Sequence, residues 1–392
     1  MPNLRSPAKR PAETLKSIIT RAAARAATMP QPSPQPKSER IAGVPAEGQS
    51  LGADVRRARF GAQRAFGEFL QLVANANDGP PDARLLRAAS EVDPTSGGFL
   101  VGPRWSDQLR ESAYDASVLA QMVDIEEAER PDVKLPAVDE TSRADGARWG
   151  GFVSYWAAES ASVAGSWPRV KLLEFSGHKI IILVRCSREL LSDVSLLGGF
   201  ISRGFAAEAG FKLDQAVLSG TGAGTPQGML KSDCLITIAK EGGQAAASIV
   251  SENVKKMWSR LPAPCRRRAV WLCNEDAEGE LENLGGASGP ALYMPAGTGG
   301  NPYPLLKGRP VHVLEQSPPL GQVGDIALVD PTQYQIIDGG QRTALSLHSR
   351  FDNDEVVFKF TWRVDGKGIY SSPITPYSGS STRSPFVALT AR

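Results

Sequence analysis

The sequence predicts an α+β fold whose elements do not complete one another within a single chain. Three observations support this prediction: one long amphipathic helix pattern, a succession of short β-strand patterns after it, and an aromatic-rich extended segment before it. The chain has 392 residues, of which 41% are hydrophobic and 22% charged, an ordinary composition that allows two or three globular domains.

The N-terminal quarter of the chain is basic and rich in proline. Residues 1–90 contain 14 Lys and Arg against 7 Asp and Glu, a net charge of +7, although the whole chain has a net charge of only +2. The tract MPQPSPQPKSERIAGVPAEGQS has too few apolar residues to offset the entropy lost on folding, so residues 1–90 are predicted to be an extension. Within it, the amphipathic pattern near 54–75 predicts a helix. The Arg-rich, acid-poor start is also typical of an organelle transit peptide.

An extended arm and a short helix are predicted next, over residues 91–130, with the helix around Trp105–Ala113. The segments ARWGGFVSYWAAES and PRVKLLEFSGHKIIILVRCS follow, and they are predicted to pair as a long hairpin from about Ala147 to Ser187. The hairpin concentrates five aromatic residues: Trp149, Phe152, Tyr155, Trp156 and Trp167. Because an isolated two-stranded hairpin is marginally stable in water, we expect this one to pack against something else.

The dominant helix pattern is SLLGGFISRGFAAEAGFKLDQAVLSG. Apolar residues recur in it every fourth position, which predicts a buried stripe that includes Leu197, Ile201, Phe205 and Leu213. The glycine-rich stretch GTGAGTPQG then ends the helix. Beyond it, helix patterns (ASIVSENVKKMWSRLP and NEDAEGELENL) alternate with strand patterns (RAVWLC, GRPVHVLE, GDIALVD, YQIIDG, RTALSLHSR, DEVVFKFTWRVDGKGIYSS and SPFVALT).

Signals for catalysis, cofactors or metals are thin. The four cysteines form no C-x-x-C pair, which predicts reduced and mostly buried thiols, and the three histidines lack metal-ligand spacing. GQSLG matches the nucleophile-elbow pattern at Ser50, but a proline-rich tract precedes it where that motif needs a strand. GTGAGTPQG lacks the G-K-[ST] ending of a phosphate loop and follows a helix C-terminus, so it predicts a structural turn. The arginines of PCRRRAVW form either an exposed turn or an intersubunit charge patch.

Several stretches, in this order, resemble the major capsid proteins of tailed bacteriophages with the Hong Kong ninety-seven fold. They are SGGFLVGPRWSDQL, ARWGGFVSYWAAES, SWPRVKLLEFSGHKIIILVRCSRELLSD, FISRGFAAEAGFKLDQAVLSGTGAGTPQGML, LLKGRPVHV, GDIALVDPTQYQI, RFDNDEVVFKFTWRVDGK and ITPYSGSSTRSPFVAL. The resemblance covers about Ser90 to Thr390. It implies an N-terminal arm with the first helix (91–130), an extended loop (131–186), a peripheral domain with a long spine helix (187–229 and 333–366) and an axial domain (230–332 and 367–392).

The resemblance also implies a function. It predicts a non-enzymatic major capsid protein that assembles with itself into pentamers and hexamers in the host cytoplasm and forms the icosahedral shell of a virion. Scaffold, portal and decoration proteins are implied partners, with non-specific contact to packaged double-stranded DNA and no membrane or cofactor. In that setting we expect Trp149, Phe152, Trp156 and Trp167 to be assembly contacts, and Glu159 to pair with an arginine of another subunit.

Two other functions fit the sequence less well. An encapsulin-type nanocompartment shell shares the fold and would enclose cargo enzymes rather than a genome, but the long basic N-terminal segment argues against it. A serine hydrolase using Ser50 belongs to a different class, and esterase turnover by the wild type but not by a Ser50→Ala variant would identify it.

Overall fold

The structure, a computed structural model, describes residues 98–100, 103–128, 130, 132–138, 140–157, 162, 164–187, 194–285, 292–297, 301–350 and 355–392. For 98–100, 103–106, 187, 194–198, 285, 345–350 and 355–356 the description covers the backbone only. The chain divides into the units Met1–Arg56 and Arg57–Arg392, and all described residues belong to the second. The predicted extension 1–90, its helix near 54–75 and Ser50 lie outside them.

The described residues contain α-helices and β-strands in alternation. The helices are α1 (Pro103–Ala116), α2 (Val194–Ser219), α3 (Ser251–Arg260) and α4 (Glu275–Glu282). The strands are β1 (Gly98–Leu100), β2 (Asp124–Glu127), β3 (Asp132–Val138), β4 (Val170–Ser176), β5 (His178–Ser187), β6 (Ile236–Ile238), β7 (Val270–Cys273), β8 (Tyr293–Met294), β9 (Leu305–Leu306), β10 (Arg309–Val313), β11 (Ile326–Val329), β12 (Tyr334–Arg350), β13 (Glu355–Gly368) and β14 (Phe386–Leu389).

These strands form three sheets. A five-stranded sheet has the order β1-β12-β13-β5, with β2 lying parallel to β12, and a seven-stranded sheet has the order β6-β14-β11-β7-β10-β9-β8. β3 and β4 pair only with each other, as an antiparallel ribbon. The mixture of helices and sheets confirms the predicted α+β class.

The long helix α2 is the main support of the five-stranded sheet. Its 26 residues make a rod of about 39 Å. Ile201, Phe205 and Leu213 are buried on its inner face, and the Phe205 ring lies 4.8 Å from the Phe360 ring of β13. The backbone of Leu197 is helical, but its side chain lies outside the described part of the chain.

Gly210 allows α1 to approach α2 closely. A Cβ at this position would lie 3.1 Å from the carbonyl oxygen of Ala113 and from Ala116, tighter than an ordinary contact. Glycine inside a helix is less stable than alanine. The close packing of α1 on α2 offsets this cost at Gly210. The glycine-rich turn after α2 is closed by the Gly228 N–H, which donates to the Gly220 carbonyl at 2.9 Å.

The central strands of the seven-stranded sheet, β7, β11 and β14, are buried on both faces. Alternate residues of β7 enter two different hydrophobic cores, because successive side chains of a strand point to opposite faces. Val270 and Leu272 join the core that contains α2, whereas Trp271 and Cys273 join a second core under α3 and α4. All four cysteines are buried and reduced, as the sequence predicts.

The predicted hairpin of 147–187 is wrong in its first strand. Residues 148–150 form a short 3-10 turn and 152–157 have no regular structure, while the partner of β4 is β3. Trp149, Gly150 and Gly151 have φ values of 49°, 76° and 113°, a left-handed run that an extended strand cannot contain. The second predicted strand is split at Gly177, and its later half, β5, joins the five-stranded sheet instead.

Candidate assembly surface

The ribbon of β3 and β4 is a two-stranded element with little packing of its own. Its strands pair from Asp132↔Ser176 to Val138↔Val170. Lys134 donates to Glu174 across the ribbon at 2.6 Å, and this contact lowers the pKa of the exposed Glu174. Val170 and Leu172 are exposed on the same strand. Exposed apolar side chains on a ribbon without a second layer are typical of a surface that another molecule covers.

The root of the ribbon is fixed to the five-stranded sheet. The buried Asp365 carboxylate on β13 accepts from the Ser176 N–H at 2.7 Å, and its other oxygen accepts from the Gly366 N–H at 2.8 Å. Phe175 is buried here, with the Lys367 ammonium 5.2 Å from its ring centroid. The segment that follows β3 at the far end is also held by the chain itself: the Arg143 N–H donates to the Thr375 carbonyl at 2.9 Å, and the Thr375 N–H donates to the Thr141 carbonyl at 2.9 Å. The ribbon is therefore anchored at both ends, and what it leaves for other contacts is its exposed side chains.

The far end of the ribbon carries the exposed aromatic cluster, which we define as Trp149, Phe152, Tyr155, Trp156 and Trp167. All five side chains are more than half exposed, and Trp156 is fully exposed. The backbone beneath them is ordered by hydrogen bonds: the Arg169 N–H donates to the Gly150 carbonyl, and Arg148 pairs with Asp145 at 2.6 Å. Gly150 is required here, because a Cβ would lie 2.6 Å from the Arg169 carbonyl oxygen. Glu159, the predicted charge contact, lies outside the described residues.

Exposed apolar side chains also lie on β5 and on α2, on two different surfaces. Ile181 and Leu183 are about half exposed on the sheet face opposite α2, because Ile180 and Ile182 of the same strand pack against the core that contains α2. Phe200 on α2 is more than half exposed. No described strand pairs with the outer side of β5, so its backbone is an open edge. Beside this edge, β5, the end of α2 and the glycine-rich turn enclose a groove of about 510 Å³.

Two buried carboxylates hold α1 in place, and the sequence patterns do not single them out. Asp214 of α2 accepts from the Ser117 hydroxyl at 2.5 Å and from the Val118 and Leu119 N–H groups at 3.0 and 2.9 Å. Its burial raises the pKa of the Asp214 carboxyl, although these three donors oppose the shift.

The second carboxylate, Asp338 on β12, joins α1 to the five-stranded sheet. It accepts from Arg110 at 3.1 Å, Tyr114 at 2.7 Å and the Trp362 indole at 3.0 Å. Burial, with the Asp338 charge, raises the pKa of Tyr114. A single acidic residue within a helix or strand pattern is ordinarily predicted to be exposed to solvent. The hydrogen-bond partners of Asp214 and Asp338 are therefore visible only in the tertiary structure.

A model of the phage capsid family matches residues 97–379, which include the ribbon, the aromatic cluster and α2. The chain belongs to the phage capsid family. This capsid-family match ends before β14 and begins just before β1, so it spans most of the described fold.

A solved capsid structure supports the Hong Kong ninety-seven-type α+β fold of this capsid protein. The capsid of an empty GTA particle with C5 symmetry is 20% identical and has a TM-score of 0.52, with 71% of this chain and 90% of that chain covered. The capsid of the native GTA particle is 22% identical (TM-score 0.49; 79% and 99% covered), and a Mycobacterium phage Bobi structure is 15% identical (TM-score 0.47; 70% and 90% covered). No curated protein matches the chain.

Family and fold together make this capsid protein a structural component of a virion shell. Among the described residues, no helix is both long enough and apolar enough to span a bilayer.

Proposed function

We propose that this capsid protein forms rings of five and six copies, which tile a closed icosahedral shell around a phage genome. The observation that carries the proposal is the exposed aromatic cluster at the end of an anchored ribbon. Each ring of five or six requires a heterologous contact, in which two different surfaces of the chain meet. The aromatic cluster is one such surface, and we assign the open edge of β5 with the exposed face of α2 in a neighbouring copy as the other.

Burial energetics support this assignment. Each aromatic side chain that is covered by a neighbour removes apolar area from water at roughly 25 cal/mol per Å², or about 2–3 kcal/mol for a large side chain. Ordering the ribbon costs about 1–2 kcal/mol per residue in backbone entropy. A chain that orders this segment without covering its aromatic residues recovers little of that cost, whereas an assembled shell covers them.

The remaining assignments follow from the same proposal. The core with α2 and the five-stranded sheet forms the peripheral domain, and the core with α3 and α4 forms the axial domain near the ring centre. The protein acts without catalysis and assembles in the host cytoplasm, with scaffold, portal and decoration proteins as partners. The positive charge of residues 1–90 supports non-specific contact with DNA phosphates, which basic side chains bind without reading sequence.

Electron microscopy of the full chain, expressed with any scaffold that it requires, tests the proposal. The expected result is closed shells with five- and sixfold capsomers that contain DNA when they are isolated from an infected host. Small shells filled with enzyme cargo would instead support a nanocompartment. A chain that remains monomeric at high concentration, with scaffold present, contradicts both.

A further inference from the structure

The seven-stranded sheet carries basic side chains at one end and acidic side chains at the other. β7 and β10 are parallel, so their first residues share one end of the sheet and their last residues share the opposite end. The basic end consists of Arg266, Arg267, Lys307 and Arg309, and the acidic end consists of Glu275, Asp276 and Glu315. Since β7 has four residues, about 10 Å of strand separates the two ends.

The basic end contains like charges that the chain does not neutralise. Lys307 and Arg266 lie over the ring of Trp258, with the ammonium and guanidinium 5.6 and 5.5 Å from its centroid. Burial, together with the positive charges of Lys255 and Arg266, lowers the pKa of Lys307. The Arg266 Nε atom is buried without a hydrogen-bond partner in the described chain. None of the ion pairs found among the described residues includes a member of the basic end.

The acidic end has the opposite excess, with three carboxylates against two exposed lysines, Lys231 and Lys240, that lie at the same end of the sheet. Glu275 and Asp276 begin α4, and Glu315 follows β10, where the Leu314 N–H donates to the Cys273 carbonyl at 2.9 Å and brings the two segments together. All three carboxylates are exposed, and none of the ion pairs found among the described residues includes them. The chain therefore presents two charged ends of opposite sign that face away from each other.

Exposed apolar side chains lie on the sheet edge beside the basic end. Met294 on β8 pairs in register with Leu305 on β9, and the Lys307 N–H donates to the Leu292 carbonyl at 2.9 Å. Met294 and Tyr303, on this same edge, are 45% and 61% exposed. Charged side chains next to exposed apolar ones are the composition of an interface with a polar rim.

We propose that the basic end of one copy contacts the acidic end of the next copy around each ring. The inference rests on the proposed function, because it assigns the contact within the ring. A heterologous ring contact needs two different, complementary surfaces on one chain, and opposite charges at opposite ends of one sheet meet that requirement. Nucleic acid fits less well, because a phosphate-binding surface would leave the acidic end without a role.

Charge reversal at each end tests the contact in the full-length chain. The basic-end variant is Arg267→Glu with Lys307→Glu and Arg309→Glu, which changes the charge of that end from +4 to −2. The acidic-end variant is Glu275→Lys with Glu315→Lys, which changes the charge of the three acidic positions from −3 to +1. Each variant should raise the concentration needed for ring formation by about tenfold or more, because attraction becomes repulsion. Arg130→Glu with Lys359→Glu, exposed positions outside the seven-stranded sheet, is the control and should assemble like the wild type. Thermal melting of each free chain verifies that it folds.

Mixing the two reversed variants gives the sharpest result. The basic-end variant is acidic at both ends and the acidic-end variant is basic at both, so the two should alternate in a ring. Alternation closes only with an even number of copies, so the mixture should restore rings of six but not rings of five. Combining all five substitutions in one chain should restore both. Failure of both rescues contradicts the contact.

A neutral substitution separates assembly from folding. Lys307→Met keeps the aliphatic contact with Trp258 and removes the repulsion with Lys255 and Arg266. The free chain should melt at the same or a higher temperature than wild type, while ring formation weakens. A lower melting temperature together with unchanged rings contradicts the proposal.

The outcomes distinguish this contact from the proposed function. A wild-type chain that forms no rings contradicts the proposed function and the contact with it. Wild-type rings with unchanged assembly of the basic-end variant contradict the contact alone. A basic-end variant that assembles normally but retains less DNA assigns the cluster to phosphate and also contradicts the contact.

Discussion

At the residue scale, the Asp214 carboxylate determines whether the turn after α1 stays on α2. It accepts three hydrogen bonds from the segment 117–119, two of them from the buried Ser117 and Leu119 and one from the partly buried Val118 N–H. Asp214→Ala leaves these donors unsatisfied, and each unsatisfied buried donor costs about 1–3 kcal/mol. We therefore expect a loss of about 3 kcal/mol or more in the free energy of unfolding, measured by urea denaturation. Gln215→Ala, its exposed neighbour, should change it little, and equal effects of the two substitutions would contradict the assignment.

His312 on β10 gives a residue-scale test in pH. Burial lowers the pKa of this imidazole, so the folded chain disfavours its protonated form. A lowered histidine pKa contributes stability above the unfolded value of 6.5, and this stability is lost as the pH falls through the folded value. Between about pH 7 and pH 5, wild type should therefore lose more stability than His312→Gln. Parallel pH profiles of the two proteins would show that the imidazole does not contribute.

At the element scale, Phe205 tests the packing of α2. Phe205→Ala removes a buried ring that contacts Phe360 and should cost about 3–5 kcal/mol. Phe200→Ala on the same helix removes an exposed ring and should leave the melting temperature of the free chain nearly unchanged. A melting temperature unaffected by Phe205→Ala would mean that the buried stripe is misassigned.

Two tryptophans test the role of the ribbon. Trp156→Ser should leave the melting temperature of the free chain unchanged, because the side chain is fully exposed, but should weaken ring or shell formation in sedimentation. Trp362→Ser should lower the melting temperature of the free chain, because that indole is buried and donates to Asp338. If the Trp156→Ser chain formed shells at the same protein concentration as the wild type, the aromatic cluster would not be part of the assembly contact.

Elements differ in how far the sequence specifies them. The period of α2 is sufficient to predict its bounds and the burial of Ile201, Phe205 and Leu213, because a helix stripe is a local pattern. The ribbon is different: GGFVSYW alternates like a strand, yet the left-handed run at Trp149–Gly151 prevents pairing. The partnership of Asp214 and Asp338 with α1 spans about a hundred residues or more of sequence, so no local pattern contains it.

At the scale of the whole molecule, the order of segments is what the sequence specifies best. The arm, the ribbon, the long helix and the later strands follow one another along the chain, and the family match covers them as far as β13. The two cores share the seven-stranded sheet, whose central strands β7, β11 and β14 are apolar at every position. Such strands predict burial on both faces but not which core each face joins, because that depends on strand order.

Hydrogen exchange of free subunits and of assembled shells tests the central claim most directly. The claim is that the ribbon and its aromatic cluster are completed by a neighbouring copy. Amides of residues 132–138, 147–157 and 170–176 should exchange fast in free subunits and slowly in shells, while amides of α2 should be protected in both. Equal, strong protection of the ribbon in free subunits and in shells would contradict the claim, because it would mean that the ribbon packs on its own chain.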